Sequence, residues 1–240
     1  MNDDIARLKA ILSRAKRVVL FTGAGFSVPS GIPDFRSEGG IYEGKFAGMS
    51  AEYMLSHSCL TMHTELFFKF YKSKMLYPSA RPNAAHLRFA ELEREGKLLS
   101  TVTQNIDGLH QAAGAKRVWE LHGSVHRNTC MKCGEKYGLG YIVASEGVPV
   151  CRKCGGVVRP DVVLYGEGLD TDTIEGAVND ISRADVLIVA GTSLAVYPAA
   201  SLPDCFNGDE LVLINKSRTE RDSIATLAIH DDIARVAEQI

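Results

Sequence analysis

The sequence predicts a parallel α/β sheet carrying a smaller inserted module, and three observations predict it. Short apolar runs, β-branched or aromatic and each ended by a turn residue, recur along the chain. Helical patterns fall between several of them, and two segments break the alternation. Continuous apolar runs fit strands covered on both faces, as a parallel sheet with crossover helices requires. The bulk numbers agree: 240 residues, 45% hydrophobic and 23% charged, exclude disorder, collagen and coiled coil as descriptions of the whole chain. The length suits one large domain, alone or with a small companion.

Residues 3–15 set Ile5, Leu8, Ile11 and Leu12 on one helical face behind an acidic start, which predicts a helix feeding a first strand at 18–21. Residues 37–82 then leave the alternation, being rich in Gly, Ser and aromatics, with short helical stretches at 53–55 and 65–71. Residues 85–95, with Leu87, Ala90 and Leu92, read as a helix before a second strand at 98–102. A third strand follows at 118–121, and residues 126–159, which carry the cysteines, form the second departure. A helix over 173–181 leads into strands at 186–190 and 211–214, and 232–240 reads as a closing helix. The expected division is a large domain from 1–36, 83–125 and 160–240, and a small one from 37–82 and 126–159. No internal repeat or low-complexity tract is visible.

Lysine and arginine number 27 against 29 aspartates and glutamates, a formal charge of -2. That balance makes neither nucleic acid nor an anionic membrane a main partner. The stretch 186–202 is uncharged, but Gly191, Thr192, Ser193 and Pro198 interrupt it, so it reads as a buried strand entering a turn. The acidic opening lacks an apolar h-region, so no secretory signal is expected and the chain is read as cytoplasmic. Of 6 cysteines, Cys59 and Cys205 stand alone, and the others form two Cys-x-x-Cys pairs. In that compartment the pairs point to a metal site and not to a disulfide framework.

The first strand runs into Gly23-Ala24-Gly25, a turn whose amides suit a pyrophosphate and which serves equally as an ordinary tight strand-to-helix turn. The dehydrogenase fingerprint needs a third glycine where Val28 stands, which disfavours hydride transfer. The following loop ends in Asp34-Phe35-Arg36, presenting a ring and a charge. Gln104-Asn105-Ile106-Asp107 follows the second strand, where a parallel sheet binds polar ligands, although Asn and Asp also cap turns. His122 follows the third strand, and an imidazole with an ordinary pKa of about 6.5 accepts a proton near neutrality. Cys130, Cys133, Cys151 and Cys154 leave 17 residues between the pairs. That spacing suits a closed, tetrahedral zinc ribbon whose metal supports folding.

These blocks together, Gly-Ala-Gly-x-Ser with Gly-Ile-Pro-Asp-Phe-Arg, then Thr-Gln-Asn-Ile-Asp at 103–107 and Leu-His-Gly at 121–123, resemble the sirtuins, the NAD-dependent protein lysine deacylases. The likeness covers nearly the whole chain and fits the short single-domain form of bacterial and archaeal members. It implies a doubly wound Rossmann-like α/β domain with an inserted zinc-ribbon and helical module, and a cleft between them. It implies NAD contacts at Gly23, Ala24, Gly25, Asp34, Phe35, Arg36, Gln104, Asn105, Asp107, His122, Gly191, Thr192, Ser193, Asn215 and Lys216. Asn105 and Asp107 would orient the ribose and a water, and His122 would be the base.

An acetyl-lysine protein or peptide would pair as an added strand along Val163, Tyr165, Gly166 and Glu167, with Val196 nearby. The implied products are nicotinamide, deacetylated lysine and O-acetyl-ADP-ribose. Relatives that remove succinyl or malonyl groups carry Tyr-x-x-Arg in the helical insertion, and the corresponding place here reads Phe68-x-x-Tyr71. With no arginine to pair a carboxylate, neutral acetyl is the expected acyl group. Two other readings stay open: transfer of ADP-ribose to protein or water, and a zinc-ribbon binding module without catalysis. Nicotinamide release that depends on acyl-lysine separates them.

Overall fold

The computed structural model describes residues 2–240. Helix α1 (Asn2–Arg14) buries Ile5, Leu8, Ile11 and Leu12 and feeds strand β1 (Val18–Thr22), which is buried throughout. Helices α2 (Ala51–Met54), α3 (His57–Met62) and α4 (Thr64–Lys74) follow. Ser50 and Ser56 cap the first two by accepting the Tyr53 and Cys59 amides. Helix α5 (Ala84–Arg94) opens on an Asn83 capping box and leads to β2 (Leu98–Thr103), the short α6 (Leu109–Ala112) and β3 (Val118–Glu120). Strands β4 (Gly123–Cys130) and β5 (Lys136–Tyr137), helix α7 (Leu139–Ala144) and β6 (Val158–Val162) come next. Helix α8 (Thr171–Arg183), β7 (Val186–Ala190), β8 (Glu210–Ile214), β9 (Leu227–Ile229) and α9 (Ile233–Ala237) complete the chain.

The main sheet has the order β3-β2-β1-β7-β8-β9, with every pairing parallel. Val18 and Leu20 of β1 face a core shared with Leu8, Phe89 and Val236. Val19 and Phe21 face the opposite core, with Ala177 and Ile181 of α8. Both faces are covered, which is why these strands read as unbroken apolar runs. The doubly wound architecture is the one expected. Helix α5 departs in phase: it buries Ala85, His86, Phe89, Ala90 and Leu92, and leaves Leu87 54% exposed. Phe89, packed 6.0 Å from Phe26, and the Asn83 cap set the rotation that turns Leu87 outward.

A third core joins Phe67, Phe68, Phe70 and Tyr71 of α4 to Val125, Cys130, Val158, Val162 and Leu164, which lie far along the chain. Its small antiparallel sheet runs β5-β4-β6, and β4 and β6 reach Gly123 and Val162, past the 126–159 span. The backbone of Tyr165 stitches this sheet's extension to the helices, donating to the Leu55 carbonyl and accepting from the His57 amide, both at 2.9 Å. Among the described residues no helix is long and apolar enough to cross a membrane.

Candidate functional site

The strand order reverses between β1 and β7, and a parallel sheet opens a crevice at the C-terminal ends of strands where it reverses. The turn after β1 meets the turn after β7 directly: the Gly25 amide donates to the Gly191 carbonyl at 2.8 Å. A Cβ on Gly25 would lie 2.9 Å from that carbonyl oxygen, and one on Gly191, at φ +64, would lie 2.2 Å from the Phe26 nitrogen. Only glycine fits both positions. A cleft of about 1230 Å³ opens above them, between the main sheet and the third core. Every candidate taken from the sequence outside the four cysteines lines this one cleft.

The polar floor of the cleft is a connected network. Asn105, 8% exposed, donates through Nδ2 to the Gly23 carbonyl at 3.0 Å and to Ser27 Oγ at 3.1 Å. Ser27 Oγ donates in turn to Asp107 Oδ2 at 2.7 Å, while Asp107 Oδ1 accepts the Leu109 amide at 2.8 Å. Burial raises the Asp107 pKa, and these hydrogen bonds oppose the rise. Gln104 Nε2 donates to Thr192 Oγ1 at 3.1 Å, and the Thr192 amide donates to Asn215 Oδ1 at 2.9 Å, so the ends of β2, β7 and β8 are tied together.

His122 donates from Nδ1 to the Gln104 carbonyl at 2.9 Å, because a carbonyl only accepts. That bond fixes the tautomer and leaves Nε2 as the basic nitrogen. Burial lowers the His122 pKa, with the Gln104 carbonyl opposing, so the ring is neutral around pH 7. The His122 carbonyl accepts the Val163 amide at 3.0 Å, which joins this ring's backbone to the segment 163–167.

Along that segment the side chains differ in availability. Glu167 is held by Arg159 at 2.5 and 2.9 Å, by His57 Nδ1 at 2.9 Å and by the Leu164 amide at 2.9 Å. Although partial burial works against ionisation, these bonds bring its pKa down to about 2, so Glu167 is a fixed anionic clamp. Tyr165 contacts Tyr42 hydroxyl to hydroxyl, and the Tyr42 ring lies 5.1 Å from Phe35. Asp34 accepts the Arg36 and Ser37 amides at 3.0 and 2.8 Å and so shapes its own loop. Lys216 pairs with Asp232 at 2.9 Å.

Away from the cleft, Cys130, Cys133, Cys151 and Cys154 bring their sulfurs within 4.8 Å of one another. The closest pairs are 3.5 Å (Cys130 and Cys154) and 3.6 Å (Cys133 and Cys151). Tetrahedral zinc with bonds of about 2.3 Å needs sulfurs roughly 3.8 Å apart, so the set fits that ion. The Lys132 and Lys153 amides point at Cys130 and Cys151 sulfurs at 3.4 Å, and the Tyr137 hydroxyl at Cys151 at 3.2 Å. Such donors stabilise thiolates.

Several residues at the site were not singled out from the sequence. Ser27 bridges Asn105 and Asp107, and only its place in the glycine turn hinted at this. His126 lines the cleft and donates from Nε2 to the Asp107 carbonyl at 2.9 Å, and His57 and Arg159 hold Glu167. No local pattern marks these, because their partners lie far away in the chain.

A family model described as the Sir2 family matches residues 23–198. A protein of Clostridium acetobutylicum named NAD-dependent protein deacetylase is 54% identical over 240 residues, covering 99% of this chain and 98% of its own. A solved Sir2 complex with a p53 peptide and NAD+ matches with a TM-score of 0.87 at 38% identity, covering 98% of this chain and 96% of that one. Another, of Sir2 with a deacetylated p53 peptide and 3′-O-acetyl ADP ribose, matches with a TM-score of 0.90 at 39% identity and the same coverage.

Proposed function

The chain belongs to the Sir2 family, and from that premise we propose that it is an NAD-dependent protein lysine deacetylase, releasing nicotinamide, deacetylated lysine and O-acetyl-ADP-ribose. The observation that carries this reading is His122, a half-buried imidazole held by Gln104 in the tautomer whose basic nitrogen is Nε2, in the same cleft as Asn105 and Asp107. When bound, NAD supplies a ribose carbon bearing a cationic leaving group and ribose hydroxyls that take up the acyl group. Gly23, Ala24, Gly25, Asp34, Phe35 and Arg36 would hold it from one side of the crevice, and Gly191, Thr192, Ser193, Asn215 and Lys216 from the other. Asn105 and Asp107, cross-braced by Ser27, orient the ribose and a water. His122 Nε2 would accept a proton from a ribose hydroxyl.

The peptide is held by backbone pairing along 163–167, with Val196 facing it, which recognises extended chain more than particular side chains. Phe68 and Tyr71 are both buried, and the Arg159 guanidinium that acts on Tyr71 is already engaged by Glu167. That guanidinium is thereby already paired with a carboxylate and not offered to an acidic acyl group, which supports acetyl. The four thiolates carry one structural zinc, and their need to stay reduced supports a cytoplasmic location.

Mass spectrometry of a reaction containing the protein, NAD and acetyl-, succinyl- or unmodified-lysine peptides tests the reading. Equal amounts of nicotinamide, free-lysine peptide and O-acetyl-ADP-ribose, from the acetyl peptide, are expected. Nicotinamide released equally without any acyl peptide would move the assignment to ADP-ribosyl transfer or NAD hydrolysis.

A further inference from the structure

Beneath the cleft floor lies a chain of buried polar groups that the reading above does not use. His110, 2% exposed, sits with its Nε2 at 3.0 Å from Thr22 Oγ1. The Thr22 hydroxyl donates to Thr103 Oγ1 at 2.8 Å, and Thr103 Oγ1 accepts the backbone amide of Asn105 at 3.0 Å. Thr22 is 0% exposed and Thr103 2%, so no bulk water competes for these bonds. With the Thr22 hydroxyl donating to Thr103, His110 Nε2 is the donor to Thr22. The chain leaves β2 at Thr103, passes through the cleft as Gln104, Asn105 and Asp107, and returns to the strand end at His110. Its two ends are therefore clasped together under the site.

We propose that His110 is a positioning residue for this reaction, acting through the Thr22 and Thr103 hydroxyls on the backbone of Asn105. The same turn carries the Gln104 carbonyl that orients His122, so a loosened clasp displaces both groups. His110 itself does not reach the reacting atoms. Its ring is packed at 5.1 Å from Phe26 and 4.8 Å from His86, which holds Nε2 on Thr22. The inference rests on the deacetylase reading only where turnover is measured.

Two measurements on the full chain test it, using His110→Phe, which keeps the ring and removes the donor, and Thr103→Val, which removes the hydroxyl. His110→Gln, whose amide restores a donor near Nε2, is the rescue. Amide hydrogen exchange is expected to show Asn105 losing about tenfold protection in the first two variants while Leu99 to Val102 of β2 keep theirs. In assays well below each variant's melting temperature, kcat for deacetylation is expected to fall about tenfold with the peptide KM unchanged, and His110→Gln to recover most of both losses. Parallel loss of protection at Asn105 and along β2 would reduce His110 to a stabilising residue, as would a kcat within about twofold of the parent. Should the parent itself show no deacetylation, that earlier reading fails, and the exchange experiment alone still decides the clasp.

Discussion

His122 is half-buried, neutral and held at one nitrogen, and each of these conditions has a separate source: the cleft wall, desolvation and the Gln104 carbonyl. Replacement by alanine removes the proton acceptor without touching Asn105, Asp107 or the glycine turn. His122→Ala is therefore expected to retain measurable exchange of labelled nicotinamide into NAD while deacetylation drops by about a hundredfold or more. Loss of both activities in a variant with normal zinc content and circular dichroism would remove His122 from the proposed role. The residue types of the site were legible one by one, since amides, acids and an imidazole at strand ends suggest polar-ligand chemistry on their own. Their coupling was not: Ser27 between Asn105 and Asp107, or Arg159 and His57 on Glu167, joins residues that only the fold makes neighbours.

Among the elements, the buried strands were legible because they are covered on both faces and need no alternation to show themselves. β9 and the strands of the small sheet were not, being brief or set among turns and cysteines. Leu87 shows a subtler limit, since apolar character alone does not fix the rotation of a helix whose cap and neighbouring Phe89 set it otherwise. The ribbon built by β4, β5 and β6 has its sulfurs packed against the third core, where Cys130 and Cys151 are buried. Removing zinc leaves four sulfurs crowded at this edge with no ion to hold them together. Chelation is expected to release one zinc per chain, measured by a colorimetric indicator, and to lower the melting temperature by several degrees, with Cys151→Ser reproducing the loss. Intact stability after complete zinc removal would argue against a structural metal.

At the scale of the whole molecule, the two buried histidines under the main sheet make folding sensitive to acid. Burial lowers the pKa of His86 to about 2, with His110 adding to the effect, and lowers that of His110 to about 3. In the unfolded chain both titrate near the ordinary value of about 6.5. Their burial is therefore fully compatible with folding above that value, and as pH falls the unfolded state alone gains protons. Stability is expected to drop by up to about 1.4 kcal/mol per pH unit for each of the two, from pH 6.5 down towards 3. Urea unfolding followed between pH 7 and 4 checks this, and a midpoint that stays flat until the carboxylate range would contradict it.

The third core carries a consequence for how the chain is made. Its aromatic half, Phe67, Phe68, Phe70 and Tyr71, is covered in part by its own neighbours Met54, Leu55 and Leu60 and in part by Val125, Cys130, Val158 and Leu164, far along the chain. A ribosome adding roughly 5–20 residues per second leaves that aromatic cluster without its later partners for several seconds after it emerges. One face of the cluster thus needs shielding in the nascent chain until the second half of the ribbon has been synthesised.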